Sequence, residues 1–183
     1  VYTAEPFTSF PTVRAGLQER TILINGVSKT YAMTGWRIGW AIAPNLGVAK
    51  AMADLQSQET SNPCSISQYA ALAALRGPQD CVETMRREFA RRRDYVTERI
   101  ADIPSVTCAP MQGAFYAFIN ISRHLGKRYG GVLVENSSQW CLELLAQKGV
   151  ATVMGSAFGA EGYARLSFAT SMENLAAALD RIE

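Results

Sequence analysis

The chain has 183 residues, 48% of them hydrophobic, enough for one ordinary domain core or parts of two. Eighteen Lys and Arg against 16 Asp and Glu leave a net charge of +2, too mild to mark a polyanionic partner, so nucleic acid is not expected. No run approaches the roughly 18 to 20 apolar residues that cross a bilayer, so no membrane span is expected. Cys64, Cys81, Cys108 and Cys141 are too scattered for a metal or redox pair, and reduced thiols in a cytoplasmic protein are the expectation. The opening VYTAEPF has neither an initiator Met nor a signal-peptide layout, which suggests a chain that starts inside a larger fold.

In chain order, the branched apolar run at 21–25 predicts a buried strand, and 38–43, ending at Pro44-Asn45, predicts a second strand of one inner sheet. Ser65, with Gln68 three residues on as a capping-box partner, predicts a helix through ISQYAALAALR that stops at Gly77-Pro78. That Gly-Pro step is the expected boundary between domains 1–77 and 78–183. Beyond it, Val82, Met85, Phe89, Val96, Ile100 and Ile103 form a helical stripe, predicting a long bridging helix. Its other face mixes Arg86, Arg87, Arg91, Arg92 and Arg93 with Glu83, Glu88, Asp94 and Glu98, which suits a solvated, ion-paired surface better than a phosphate site. Then come strands near Val106 and at 114–120, a helix at 138–148 closed by Gly149, and strands at 150–154 and 163–168. A last helix is opened by Thr170 with Glu173 as its capping box. This order argues an α/β region followed by a smaller α+β domain.

The chemistry concentrates in NGVSKTYAMTGWRIGW, residues 25–40, which puts a lysine, an arginine and three glycines between two predicted strands. A lysine beside a cation in a partly dry site loses its proton more readily, as Schiff-base chemistry requires. The planar fork of Arg37 matches a phosphate bidentately. Gly26, Gly35 and Gly39 would allow close backbone approach or sharp turns. Taken alone, though, a Lys and an Arg flanking a hairpin are most often surface charges.

The pattern Gly26-Val27-Ser28-Lys29, Ala32-Met33, Gly35-Trp36-Arg37-Ile38-Gly39 resembles the lysine-site motif of the class I and II aminotransferases, fold-type I pyridoxal-phosphate enzymes. QSQETSNPCSISQYAALAAL, GAFYAF and GSAFGAEGYARLSFATS resemble segments of the aspartate and aromatic branch in the same order, so the likeness runs nearly end to end. It implies the C-terminal part of the fold-type I large domain (1–77) followed by a small α+β domain (78–183).

The resemblance further implies that Lys29 holds pyridoxal 5'-phosphate and moves protons, that Arg37 grips its phosphate, and that Tyr2 hydrogen-bonds its phenolic oxygen. Arg165 would bind the substrate α-carboxylate; from the residues alone it reads as a buried ion pair as readily as a ligand, and Tyr2 as a frayed terminal side chain. The residues that pair with the ring nitrogen and stack on the ring would lie before Val1, so this chain alone is not expected to be active. The implied substrates are an L-amino acid and a 2-oxo acid, and the implied assembly is a homodimer, with Thr60-Ser61-Asn62 near the partner's site. Gly26 departs from the family pattern, in which a serine three residues before the lysine touches the phosphate. A carbon–sulfur lyase on the same cofactor, or an aminotransferase-like sensor domain of a transcription regulator, are the alternatives. His124 has no second ligand at metal spacing and reads as structural, most aromatics read as core, and Phe158 reads as a border of the substrate pocket.

Overall fold

The apolar runs on either side of the lysine segment become two short strands, β1 (Leu23–Gly26) and β2 (Gly39–Ile42), in the computed structural model, which describes residues 1–183. They pair antiparallel, from Leu23 opposite Ile42 to Gly26 opposite Gly39. The expectation of buried inner strands is not met, for Ile24 is 77% and Ile42 57% exposed. The sheet has only these two strands, so both edges and much of each face lack a covering layer.

Helix α1 (Leu46–Glu59) has no counterpart among the predicted elements. Its start was signalled by Asn45, whose side chain accepts from Val48 N at 3.0 Å, and Lys50 pairs with Asp54 one turn on. Helix α2 (Ser65–Arg76) has the expected extent, but its N-cap is Cys64 and the capping box does not form, because Gln68 donates instead to the Pro63 carbonyl at 2.8 Å. Val27, Ile38 and Ala71 are the buried apolar centre of these elements, with Tyr31, Met33 and Trp40 packed against them.

The expected long helix is α3 (Asp80–Asp102). Two compact units meet along its sequence: Glu5–Met85 is the first, and Arg86–Glu183 together with Val1–Ala4 is the second. Its stripe buries Val96 and Ile100 in the second unit. Glu88 bridges Arg91 and Arg92 at 2.9 Å each, and these hydrogen bonds hold its carboxyl down at about 2. Arg93 leaves the solvated pattern, donating to the Met111 carbonyl at 3.2 Å.

The rest of the second unit comprises β3 (Thr107–Cys108), β4 (Tyr116–Asn120), β5 (Lys127–Tyr129), β6 (Val132–Val134), α4 (Ser137–Lys148), β7 (Val153–Met154), β8 (Tyr163–Ser167) and α5 (Met172–Ile182). The main sheet has the order β3-β4-β8-β7, with every neighbour antiparallel. The β5–β6 hairpin was not anticipated, although Gly130-Gly131, both at positive φ, supply its two-residue turn. Gly149 closes α4 as expected, while α5 is capped one residue later than expected, by Ser171 accepting from Asn174 N at 3.2 Å. Ala117 and Ile119 of β4 and Ala164 and Leu166 of β8 face a core shared with Val96, Ile100, Trp140, Phe168, Leu175 and Leu179. An antiparallel sheet with helices on one face is the expected α+β arrangement. No helix is long and apolar enough to cross a membrane.

Candidate functional site

Lys29 and Arg37 lie on the single connection between β1 and β2, closed at its base by the opposed glycines Gly26 and Gly39. Both glycines answer to strand pairing: a Cβ on Gly26 would stand 2.8 Å from the Ile38 carbonyl, and one on Gly39 would stand 2.9 Å from that of Asn25. A serine at position 26 would therefore strain the pair. Gly35 has nothing within 4 Å of a Cβ, so packing does not require it.

The connection turns tightly at Lys29, where Tyr31 N donates to Val27 O and Ala32 N to Lys29 O, both at 3.2 Å. Val27, fully buried, and Ile38 pin its two ends, while the Lys29 and Arg37 side chains stay exposed. Arg37 has a left-handed backbone, φ 54°, uncommon for a side chain of its size. Its Nη1 donates to Thr34 O at 3.0 Å, leaving the rest of its five-donor fork for a ligand. An exposed amine and a largely uncommitted guanidinium on one anchored loop fit a small phosphorylated aldehyde in donor type and charge.

Tyr2 belongs to the second unit. Its backbone N donates to Gln112 O at 2.8 Å and its hydroxyl to the Ala114 carbonyl, so it is anchored rather than frayed. Partial burial raises the phenol pKa, with Arg93, 5.0 Å from the ring centre, and Arg86 opposing.

Arg165 is also in the second unit, on β8 opposite Phe118 of β4 and Val153 of β7. Alternation places Tyr116, Phe118, Tyr163 and Arg165 on the sheet face away from the core. The guanidinium carbon lies 4.3 Å from the Tyr116 ring centre and 4.5 Å from that of Phe158, and no carboxylate pairs with it. The buried ion pair that the residues alone allowed is thus not what holds it. Tyr116 and Phe118, read from the sequence among aromatics of which most were expected in the core, lie instead on the opposite face, as their two-residue spacing on one strand allows. Tyr2 and Arg165 share none of these contacts, and Lys29 and Arg37 belong to the other unit.

The family described as aminotransferase class I and II matches residues 1–182. An aspartate/prephenate aminotransferase from Cereibacter sphaeroides is 47% identical over 178 residues, covering 97% of this chain and 44% of that protein. The solved aspartate aminotransferase from Rhizobium meliloti superposes with a TM-score of 0.93 at 45% identity, over 100% of this chain and 46% of its own. The aromatic aminotransferase from Pyrococcus horikoshii gives a TM-score of 0.88 at 36% identity, again over 100% and 46%. The chain spans less than half the length of these relatives.

Proposed function

The chain belongs to the class I and II aminotransferases, and on that premise we propose that the whole protein moves an amino group between an L-amino acid, of the aspartate or aromatic type, and a 2-oxo acid. Members of this branch use pyridoxal 5'-phosphate. The observation that carries the reading is the loop at 27–38, where Lys29 and Arg37 stand on one connection tied down by Val27, Ile38 and the Gly26–Gly39 pair.

In this reading Arg37 gives its free N–H donors to the cofactor phosphate and fixes its position beside Lys29. The Lys29 Nζ anchors the cofactor and then takes and returns the proton of the substrate Cα. Arg165 holds the substrate carboxylate in a bidentate grip. The Tyr2 hydroxyl would exchange the Ala114 carbonyl for the cofactor's phenolic oxygen when the cofactor is bound. When bound, pyridoxal phosphate supplies the electron sink that takes up the charge left on Cα.

The test uses the whole protein with 2-oxoglutarate and aspartate, phenylalanine or tyrosine. Glutamate should form, and Lys29→Ala should reduce its rate by about four orders of magnitude while removing the visible absorbance of the lysine-bound cofactor. No glutamate from any of the three donors, or a spectrum indifferent to Lys29→Ala, overturns the reading. We read the working form as a cytoplasmic homodimer, in keeping with four free thiols and with the left-handed turn at Ser61 that presents Thr60-Ser61-Asn62. A strictly monomeric whole protein in light scattering counts against it.

A further inference from the structure

An arginine used to orient a substrate faces a physical difficulty, because its long side chain samples many rotamers. A carboxylate partner would still the fork but occupy its donors. Arg165 is held in another way, with its charge against the π-faces of Tyr116 and Phe158. Ring contacts at 4.3 and 4.5 Å leave no room for a ligand oxygen between guanidinium and ring, so a carboxylate must approach the uncovered N–H edge. We infer that Phe158 and Tyr116 are positioning residues that aim the Arg165 fork at the substrate carboxylate, an inference that rests on the amino-transfer reading.

Phe158 is 48% exposed, yet its surroundings fix it. It ends the short 3-10 turn Gly155–Phe158, whose Ser156 N donates to Oγ of the fully buried Ser137 at 3.2 Å. Glu161 Oε1 accepts from Ser137 N at 2.5 Å and from Gly162 N at 3.0 Å, and these bonds lower its carboxyl pKa. The far side of the turn is thereby locked to the start of α4. A Cβ on Gly155 would collide with the Ala160 carbonyl, so only glycine lets the turn close this tightly. The Phe158 ring meets Phe118 edge to face at 6.0 Å, and Phe118 stacks on Tyr163 at 5.0 Å. Phe158 thus ends a turn whose backbone is tied at Ser156 and is followed by a Glu161-held bend, and its ring meets a ring stack at its side, forming a wall beside the guanidinium.

The experiment compares, in the whole protein, an amino-acid donor with an amine that has no carboxylate for Arg165 to hold. Half-reactions are followed with aspartate, phenylalanine and phenethylamine for wild type, Phe158→Leu, Phe158→Tyr, Tyr116→Leu and Tyr116→Phe. The two leucine variants should raise KM for the amino acids roughly three- to tenfold, with kcat within about twofold, and change phenethylamine transfer by less than amino-acid transfer. The aromatic replacements should restore the wild-type values. Equal changes for amino acid and amine, or no change in either leucine variant, overturn the inference. A wild type that takes an amino group from neither amino acid removes the functional reading and this inference with it; wild-type transfer with flat variants removes the inference alone.

Discussion

In the second unit, alternate residues of β4 and β8 meet three helices in a core that includes fully buried Phe168, while the first unit gathers only Val27, Ile38 and Ala71 under its loop. The contrast shows how differently the two candidate arginines are supported. Arg165 extends from the middle strand pair of a four-stranded sheet whose opposite face is packed. Arg37 sits at the end of a short turn between two strands with no further strand on either edge. Few buried apolar contacts mean cheap local opening, so within this chain the lysine loop is the element expected to open first.

The sharpest test of this contrast is a pair of core truncations in the 183-residue chain. Phe168→Ala should cost the second unit about 3–5 kcal/mol, because a large buried ring leaves a cavity that the surrounding sheet and helices cannot collapse into. Val27→Ala should cost the first unit about 1–2 kcal/mol, the transfer term for two methylene equivalents with little cavity to add. Hydrogen exchange resolved by segment separates the two losses. Equal costs, or slower exchange in β1 and β2 than in β4 and β8, would dissolve the contrast.

The same contrast explains what the sequence made legible. Helix α4 and the strands β4 and β8 follow from apolar period and from Gly149, since part of each faces the core of the second unit, whereas α2 was legible from its period and Gly77 although Ile66, Tyr69, Leu72 and Leu75 stay exposed. The runs at 21–25 and 38–43 gave correct strands with the wrong surroundings, because pattern reports which side chains seek burial and not whether this chain covers them. Helix α1 went unseen because its apolar residues form no strong stripe and none is buried; only the Asn45 cap announced it. For the candidate site, the family pattern proposed Lys29, Arg37 and Arg165. The ring support of Arg165 was not legible, since it depends on register between β4 and β8 and on a turn held by Ser137 and Glu161, which are distant in sequence.

A smaller effect probes why the lysine loop closes where it does. Gly26→Ala puts a methyl 2.8 Å from the Ile38 carbonyl, a backbone atom that cannot rotate away, so a loss of about 1–3 kcal/mol is expected in the β1–β2 pair. Gly35→Ala, with nothing within 4 Å, should stay within about 0.5 kcal/mol. The readout is exchange of the β1 and β2 amides. If both substitutions act alike, the glycines serve the loop in some way other than strand approach.

The finest distinction between the units is their response to mild acid. The single histidine, His124, lies in the second unit, its Nδ1 2.6 Å from the Tyr129 hydroxyl and its ring edge-on to Trp140. Burial lowers its pKa below the ordinary imidazole value of 6.5, and the charge of Lys127 lowers it further. The Pro104 carbonyl opposes, though its geometry to Nε2 falls short of a good hydrogen bond. With the folded pKa depressed, the unfolded chain takes up the proton first as pH falls. The stability that neutral His124 contributes is therefore fully present above 6.5 and is lost as pH falls from 6.5 through the folded pKa. Between about pH 7.5 and 5.5 the denaturation midpoint of the second unit should fall, while that of the first, without a histidine, should stay level. His124→Gln should flatten the second unit's profile, and an imidazole NMR signal titrating at or above its ordinary range would reverse the predicted slope.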